Sequence, residues 1–420
     1  MKILLFAASF PPPRGAGSVE YLYHIFGNLP KNSVVVHTAN ADPVEARAFD
    51  LSFSQRIIRD NFILHVLSGY YTGPDLWLIL KRKLPRLREF LFWPIKALFL
   101  ILREHPDIVC IGEQNFVAIA AWIAWRIWRV PYIYFTYAEE LTIVNNYPVR
   151  KHIHFKILQN AATVITVSEY TRSLLVEGGV SSDKIIKIIP AVGAEKKKTV
   201  SAEQIAEVRR KYHLDGHRIL LTVGALITRK GHATVLEALP LIKSGHPKVK
   251  YVIAGGGPCE HELRQQAVNL GLNDDVIFAG RVNEEELTCL YEICEVFVMP
   301  HRQVPGTLDT EGCPTVFLEA GAHGKPVVGG NAGGVADAIK DGVTGFIING
   351  TDHEIVAETV SSLLTNHEMA SEMGKAGREY ALNLTPSRNA HVFWKICQSI
   401  EKKENPGSVE NYCKAIETNF

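Results

Sequence analysis

Two glutamates stand eight positions apart in the run Glu311-Gly-Cys-Pro-Thr-Val-Phe-Leu-Glu319, which continues through Ala320-Gly-Ala-His-Gly-Lys-Pro-Val-Val328 into Gly329-Gly-Asn-Ala-Gly-Gly334. Gly312 and Pro314 interrupt the chain ahead of the apolar triplet Val316, Phe317 and Leu318. That pattern predicts a short buried helix. The start of such a helix, around Gly312, Thr315 and Val316, presents free backbone N–H groups and the positive end of a dipole, and so suits an anion such as a diphosphate. Glu311 precedes that end; its charge opposes a bare phosphate and suits hydroxyl donors. Glu319 falls inside the helix, where a carboxylate is costly unless polar donors meet it. Sugar and ribose hydroxyls are such donors.

A second constellation lies upstream. The apolar stretch 219–223 runs into Gly224-Ala-Leu-Ile-Thr-Arg-Lys-Gly-His232. Gly224 allows a tight turn with close approach of a ligand. Arg229 and Lys230 then supply two cations, the charge that a diphosphate leaving group requires. Stretch 251–254 leads into Gly255-Gly-Gly-Pro258, and 276–278 leads to Arg281 and Val282. Near the N-terminus, Ser9-Phe-Pro-Pro-Pro-Arg-Gly-Ala-Gly17-Ser-Val-Glu20 follows a first apolar stretch. Glu20 there reads as a helix cap or buttress. Tyr137, Glu139 and Glu140 follow stretch 132–135. A tyrosine hydrogen-bonds a sugar hydroxyl but is a poor base near neutral pH. Ser168 reads as an N-cap.

These groups need a scaffold. Short apolar stretches alternate with helical ones, which predicts α/β architecture with parallel sheets covered on both faces. The first series of strands is expected at 3–8, 34–38, 62–66, 108–111, 132–135, 164–167 and 185–189, and the second at 219–223, 251–254, 276–278, 296–299, 327–328 and 346–348. Between them, residues 192–201 are charged and lack apolar periodicity, a linker pattern. Two Rossmann-like halves follow, 1–193 and 194–385, facing each other across a cleft with ligand at the carboxyl ends of the strands. After a break at Leu384-Thr-Pro386, a last helix is expected from Asn389 to Glu401 within a segment 386–402, and 403–420 reads as a mobile tail.

The chain has 420 residues, 47% of them hydrophobic and 21% charged, with a formal net charge of +1. That length exceeds one ordinary core, and the balance excludes any whole-protein attraction to nucleic acid. Seven cysteines are scattered without a metal-ligand spacing, which fits reduced thiols in a cytoplasmic setting.

The glutamate run resembles the E-x7-E motif of the retaining glycosyltransferases of family four, which have the GT-B fold. Lys230 and Gly231 match the end of that family's G-R-L-x-x-x-K-G motif, while Ala225 stands at its arginine. The Gly255 turn is similar to A-G-x-G-P, and the Gly17 loop to F-P-P-x-x-G-G-x-E, with Ser18 at the second glycine. Tyr137 replaces the histidine of His-Gly-x-Glu, and Asp337 stands at a family glutamate and reads as structural. The loop from Gly306 to Gly312 resembles the mannosyltransferases of phosphatidylinositol. The resemblance implies a nucleotide-sugar donor, UDP- or GDP-linked, with Glu311 facing the sugar and Glu319 the ribose. Lys230 and Arg229 would hold the diphosphate and Gly17 would contact it from across the cleft. Arg281 and Val282 would border the base, Tyr137 would position the sugar, and the final helix would return to the first domain. It implies hexosyl transfer by front-face attack to a glycan or lipid-linked acceptor in envelope polysaccharide or glycolipid synthesis. No cofactor beyond the donor is implied, and no metal, since no D-x-D stands near the donor residues. A non-catalytic binder of nucleotide sugars and a sugar-nucleotide epimerase of the same fold are the alternatives.

Residues 77–102 interleave basic and large apolar side chains. Such a stretch lies either at a lipid interface or as a core-facing helix with a basic solvent face. The first reading places the protein at the inner face of the cell membrane.

Overall fold

The computed structural model describes residues 1–12, 17–40, 43–60, 93–113, 117–192, 200–407 and 409. Two compact units divide the chain: Met1–Ile188 with Pro386–Phe420, and Ile189–Thr385.

The first unit is built on a seven-stranded sheet in the order β3-β2-β1-β4-β5-β6-β7. Its strands are β1 Ile3–Phe6, β2 Val34–Ala39, β3 Arg56–Asp60, β4 Ile108–Ile111, β5 Tyr132–Thr136, β6 Thr163–Thr166 and β7 Ile185–Lys187, each pair parallel. The connecting helices are α1 Gly17–Gly27, α2 Pro43–Ser52, α3 described over 93–104, α4 Val117–Trp128, α5 Glu139–Ile143, α6 Pro148–Asn160 and α7 Glu169–Glu177. The central strands are buried on both faces, which is why they read as unbroken apolar runs. The strand expected at 62–66 lies outside the described residues. In its neighbourhood β3 pairs Arg56 with Val35 and Asp60 with Ala39. An edge strand tolerates charge, and the charged Arg56-Ile-Ile-Arg-Asp60 therefore lacks the apolar signature of its neighbours.

The second unit carries a six-stranded parallel sheet, β10-β9-β8-β11-β12-β13. Its strands are β8 Arg218–Val223, β9 Val249–Ala254, β10 Val276–Gly280, β11 Val296–Met299, β12 Val327–Gly330 and β13 Gly345–Ile348. Helices α8 Ala202–Lys211, α9 His232–Gly245, α10 Glu260–Asn269, α11 Glu284–Ile293, α12 Thr315–Ala322, α13 His353–Thr365 and α14 His367–Asn383 cover it. Of the proposed linker, 193–199 lie outside the described residues; Ser201 closes it with a capping box to Gln204. Strand order reverses on either side of β8, between β9 and β11. A doubly wound sheet opens a crevice at the carboxyl ends of such a pair.

The last helix, α15 Pro386–Glu401, starts three residues earlier than expected. Pro386 opens this helix instead of breaking the chain, because its missing N–H falls where the first turn has no acceptor. It belongs to the first unit, where Phe393 meets Phe26 edge-on at 5.1 Å.

Candidate active site

In the second unit, the chain leaves β8 at Gly224 and reaches a 3-10 turn, Thr228–Lys230, that ends on Gly231. Gly231 has φ +75°, and a Cβ there would stand 2.1 Å from the carbonyl oxygen of Pro300, just past β11. Only glycine lets the two strand ends approach this closely. The Arg302 N–H donates to the Arg229 carbonyl at 2.8 Å and ties the same two segments together. The cations Arg229 and Lys230 are thereby fixed at the crevice between β8 and β11.

Both turn towards Glu311. Its Oε2 accepts from Lys230 Nζ at 2.5 Å and from the Arg229 guanidinium. Arg229 Nε also pairs with Asp309 Oδ1 at 2.8 Å. Burial would raise the Glu311 carboxyl, but Lys230 and Arg229 hold it ionised, down at about 2. Its backbone is clamped as well: the Gly334 N–H donates to the Glu311 carbonyl at 2.9 Å. Gly333 has φ +63°, and a Cβ there would lie 2.2 Å from that oxygen. The Gly-rich run after β12 is thus the bed on which Glu311 rests. His301 is fully buried beside it, with Nε2 at 2.7 Å from the Ala332 carbonyl, and burial lowers its pKa.

Helix α12 begins where the sequence reading placed it, with Pro314 as its N-cap residue. Gly312, Thr315 and Val316 are half-buried at its start, and the helix is buried from Phe317 onward. Glu319 sits in that buried part and is 7% exposed; the Tyr291 hydroxyl donates to its Oε2 at 3.1 Å. The donor that a buried carboxylate requires comes in part from within the protein. Arg281 is exposed and Val282 half-buried beyond β10, and Arg281 Cγ passes 3.9 Å from the position of a Cβ on Gly256. Asp337 is buried, and its carbonyl accepts from the Tyr380 hydroxyl at 2.8 Å.

The first unit holds the remaining residues. Gly17 opens α1 and is exposed. The Tyr137 hydroxyl donates to the Gly112 carbonyl at 2.8 Å, which leaves its oxygen as an acceptor. Burial pushes that phenol well above its usual range, and it is no base. Glu140 is half-buried and accepts the Tyr137 N–H at 2.7 Å; burial raises its carboxyl to about 7. Glu20 pairs with His24 at 3.7 Å, and the Ser168 hydroxyl caps α7 by accepting the Thr171 N–H at 3.1 Å.

Asp309, Tyr291 and Glu113 were not legible as site residues. Asp309 is one acid in a loop, and Tyr291 reads as a core aromatic of α11. Glu113 lies two residues beyond β4, takes a hydrogen bond from Ser18 at 3.1 Å, and is raised to about 7 by burial. The signal that finds it is its place at the carboxyl end of a strand beside β1, where strand order reverses. Among the described residues, no group of three His, Cys, Asp or Glu is placed to hold a metal ion.

Two Rossmann-like units, with a clamped glutamate and two cations at the switch point of one, fit a glycosyltransferase of the GT-B fold. The family model for glycosyl transferases group 1 matches residues 204–380, and that for Glycosyltransferase Family 4 matches residues 16–195. The chain belongs to glycosyltransferase family 4, and it is a hexosyltransferase. It is 30% identical over 384 residues to the GDP-mannose-dependent alpha-(1-6)-phosphatidylinositol monomannoside mannosyltransferase of Mycobacterium tuberculosis, covering 90% of this chain and 93% of that one. It is 26% identical over 373 residues to the monoacylated phosphatidylinositol monomannoside mannosyltransferase of Corynebacterium glutamicum, covering 88% and 90%. The solved structure of Anabaena HepE in complex with UDP and glucose superposes with a TM-score of 0.72 at 17% identity, over 95% of this chain and all of that one, a likeness of fold.

Proposed function

We propose that this enzyme moves a mannosyl group from GDP-mannose, with retention, to a hydroxyl of a lipid-linked or glycan acceptor. The observation that carries the reading is the Lys230–Glu311–Arg229 network beside the start of α12. The C1–oxygen bond to the diphosphate breaks and the acceptor oxygen bonds C1 on the same face; the acceptor proton passes to the leaving phosphate oxygen. Lys230 has further N–H donors beyond the one on Glu311, and it meets the charge that grows on the diphosphate with Arg229. Glu311, held ionised, accepts sugar hydroxyls, and Glu319 accepts those of the ribose. The donor is a substrate, and side chains supply the neutralising charge, so no cofactor enters. The mannosyltransferase names of the relatives favour GDP-mannose over a UDP-hexose.

Thermal unfolding with GDP, UDP, GDP-mannose and UDP-glucose, each with and without magnesium, tests it. Ligand at a hundred times its Kd stabilises the native state by about 2.7 kcal/mol. GDP and GDP-mannose are expected to raise the midpoint, with magnesium immaterial. A rise with UDP species alone moves the donor to a UDP-hexose, and no rise with any nucleotide removes the donor site. A non-catalytic binder is the second reading, favoured by Tyr137, whose proton is spent on Gly112, and by Ala225 at the family's arginine. It predicts the same rise with no donor turnover across glycan and glycolipid acceptors.

Helix α3 supports a peripheral membrane contact. Trp93, Ala97, Leu100 and Ile101 are buried, whereas Ile95, Phe99 and Leu102 are 62%, 59% and 43% exposed. The described part of that solvent face carries these apolar side chains beside Lys96, which pairs with Asp60, and Arg103, which pairs with Glu104. Residues 77–92 of that stretch lie outside the described residues, and among the described residues no helix is long and apolar enough to cross a membrane. Burying each such side chain in a lipid interface is worth about tenfold in partitioning or more. In flotation with phosphatidylglycerol vesicles, Phe99→Glu is expected to release the protein while its nucleotide-induced midpoint rise is unchanged. Equal flotation of the native and variant proteins ends the membrane reading.

A further inference from the structure

Tyr291 is buried in α11, one turn before β11, and the mechanism above gives it no task. Its hydroxyl donates to Glu319 Oε2 at 3.1 Å across the interior of the second unit. Its ring lies parallel to the imidazole of His323, with 9° between planes and 5.2 Å between centroids. His323 ends α12, the helix that carries Glu319, and its Nδ1 reaches Glu292 Oε1 at 2.7 Å. The side chain next to Tyr291 thus holds the ring on which Tyr291 stacks. Phe297 of β11 packs against the same ring, tilted, at 6.0 Å between centroids. The phenol has little room to turn.

We propose that Tyr291 is a positioning residue for nucleotide binding: its hydrogen bond aims the Glu319 carboxylate so that the ribose hydroxyls of the donor nucleoside diphosphate meet it already oriented. The proposal rests on the reading that Glu319 faces the ribose. A glutamate carboxylate, on three rotatable bonds, loses rotamer freedom when it takes up a ligand hydroxyl. A partner that has already restricted it removes part of that cost before the ligand arrives. Two features fit the phenol to this task. It is a donor only to groups that want one, and burial beside Glu319 pushes its pKa well above the usual range, so it keeps its proton at every working pH. It also comes from a different helix, so it braces α12 against α11 as well as orienting the side chain. A purely structural tyrosine would share the burial and the stacking but not the bond to the carboxylate.

The test compares GDP with 2′,3′-dideoxy-GDP, and UDP with its dideoxy form, by calorimetry on the full chain. The ratio of the two dissociation constants isolates the ribose hydroxyls. A hydrogen bond to a charged group is worth about tenfold or more in affinity, so the native protein is expected to favour the ribonucleotide by about that factor. Glu319→Ala is expected to abolish the preference. Tyr291→Phe, which deletes one oxygen, is expected to weaken the ribonucleotide by about threefold to tenfold and leave the dideoxy form unchanged. In turnover, the KM for donor should rise by the same factor with kcat nearly constant, and the unfolding midpoint without nucleotide should stay close to native. Equal weakening of both nucleotides in Tyr291→Phe means a structural role only and overturns the proposal, as does an unchanged ratio. Should Glu319→Ala keep the preference, the ribose reading itself falls and the proposal with it, an outcome separable from failure of Tyr291 alone.

Discussion

Lys230→Ala is expected to lower kcat/KM for the donor by about 10³-fold while the protein stays folded, because removing one preorganised group aimed at developing charge costs about 3–4 kcal/mol. The ammonium is placed by the backbone of the turn that Gly231 terminates, not by its own packing, so the alanine variant keeps the turn. What it loses is charge in a water-poor crevice: the Lys230 and Glu311 side chains are only 13% and 14% exposed. Stability should move in a defined direction. Glu311 is held at about 2 in the folded protein, below its ordinary 4.5. A depressed carboxyl contributes stability that is present above its unfolded pKa and is lost as pH falls through the folded one. At neutral pH that contribution is of order 3 kcal/mol, shared between Lys230 and Arg229. The variant should therefore melt a few degrees lower at pH 7, and the gap should close as pH falls from about 4.5 towards 2. Initial rates with circular dichroism as a folding control decide the matter. Full activity would sink the assignment of Lys230; loss of activity together with loss of secondary structure would show that the turn, not the charge, was at stake.

How much of this was legible in the sequence follows from burial. Strands β4 and β11 were bounded to the residue, because a parallel strand covered on both faces must be apolar throughout. Edge strand β3 was missed because one flank faces outward and accepts Arg56 and Asp60. Pro386 was read as a break, since proline ends and begins helices by the same missing N–H, and only the preceding backbone decides which. At the site, residue types were legible and partnerships were not. Lys230 and Glu311 were each singled out, yet the first was assigned to phosphate and the second to sugar. Their mutual bond spans 81 positions and exists because β8 lies beside β11 in the sheet. The Tyr291–Glu319 bond spans 28 positions for a related reason: α11 and α12 flank the same strand. Such pairings depend on strand order, which local pattern does not encode. The purpose of the Gly-rich run 329–334, a bed for the Glu311 backbone, likewise depends on the fold: a Cβ on Gly333 would lie 2.2 Å from the Glu311 carbonyl oxygen.

Glu311→Gln removes the charge at the centre of the network and keeps the shape, and its expected effect is a loss of transfer of about 10²-fold or more. Two causes are open to it, and they separate. The carboxylate accepts sugar hydroxyls in the reading above, and it also tethers two cations that would otherwise repel each other, one of which, Arg229, also pairs with Asp309. An amide oxygen can still accept hydrogen bonds but carries no charge to balance Lys230 and Arg229, so the variant leaves two partly buried cations under-compensated, a situation that costs several kcal/mol where the site is dry. The double variant Lys230→Ala with Glu311→Gln distinguishes the two. In stability, the pair is expected to couple by about 2 kcal/mol, with the double variant melting above the level that the summed single losses predict. In activity, residues that act as one unit do not add, so the double variant should transfer hexose about as slowly as the worse single variant. Strictly additive losses in both measurements would mean that Glu311 works on the sugar without holding Lys230. Near-native turnover of Glu311→Gln would mean that the glutamate only anchors the loop through its backbone, which the Gly334 N–H already grips. The coupled result alone fits a carboxylate that holds the cations until the diphosphate arrives and then shares them with it.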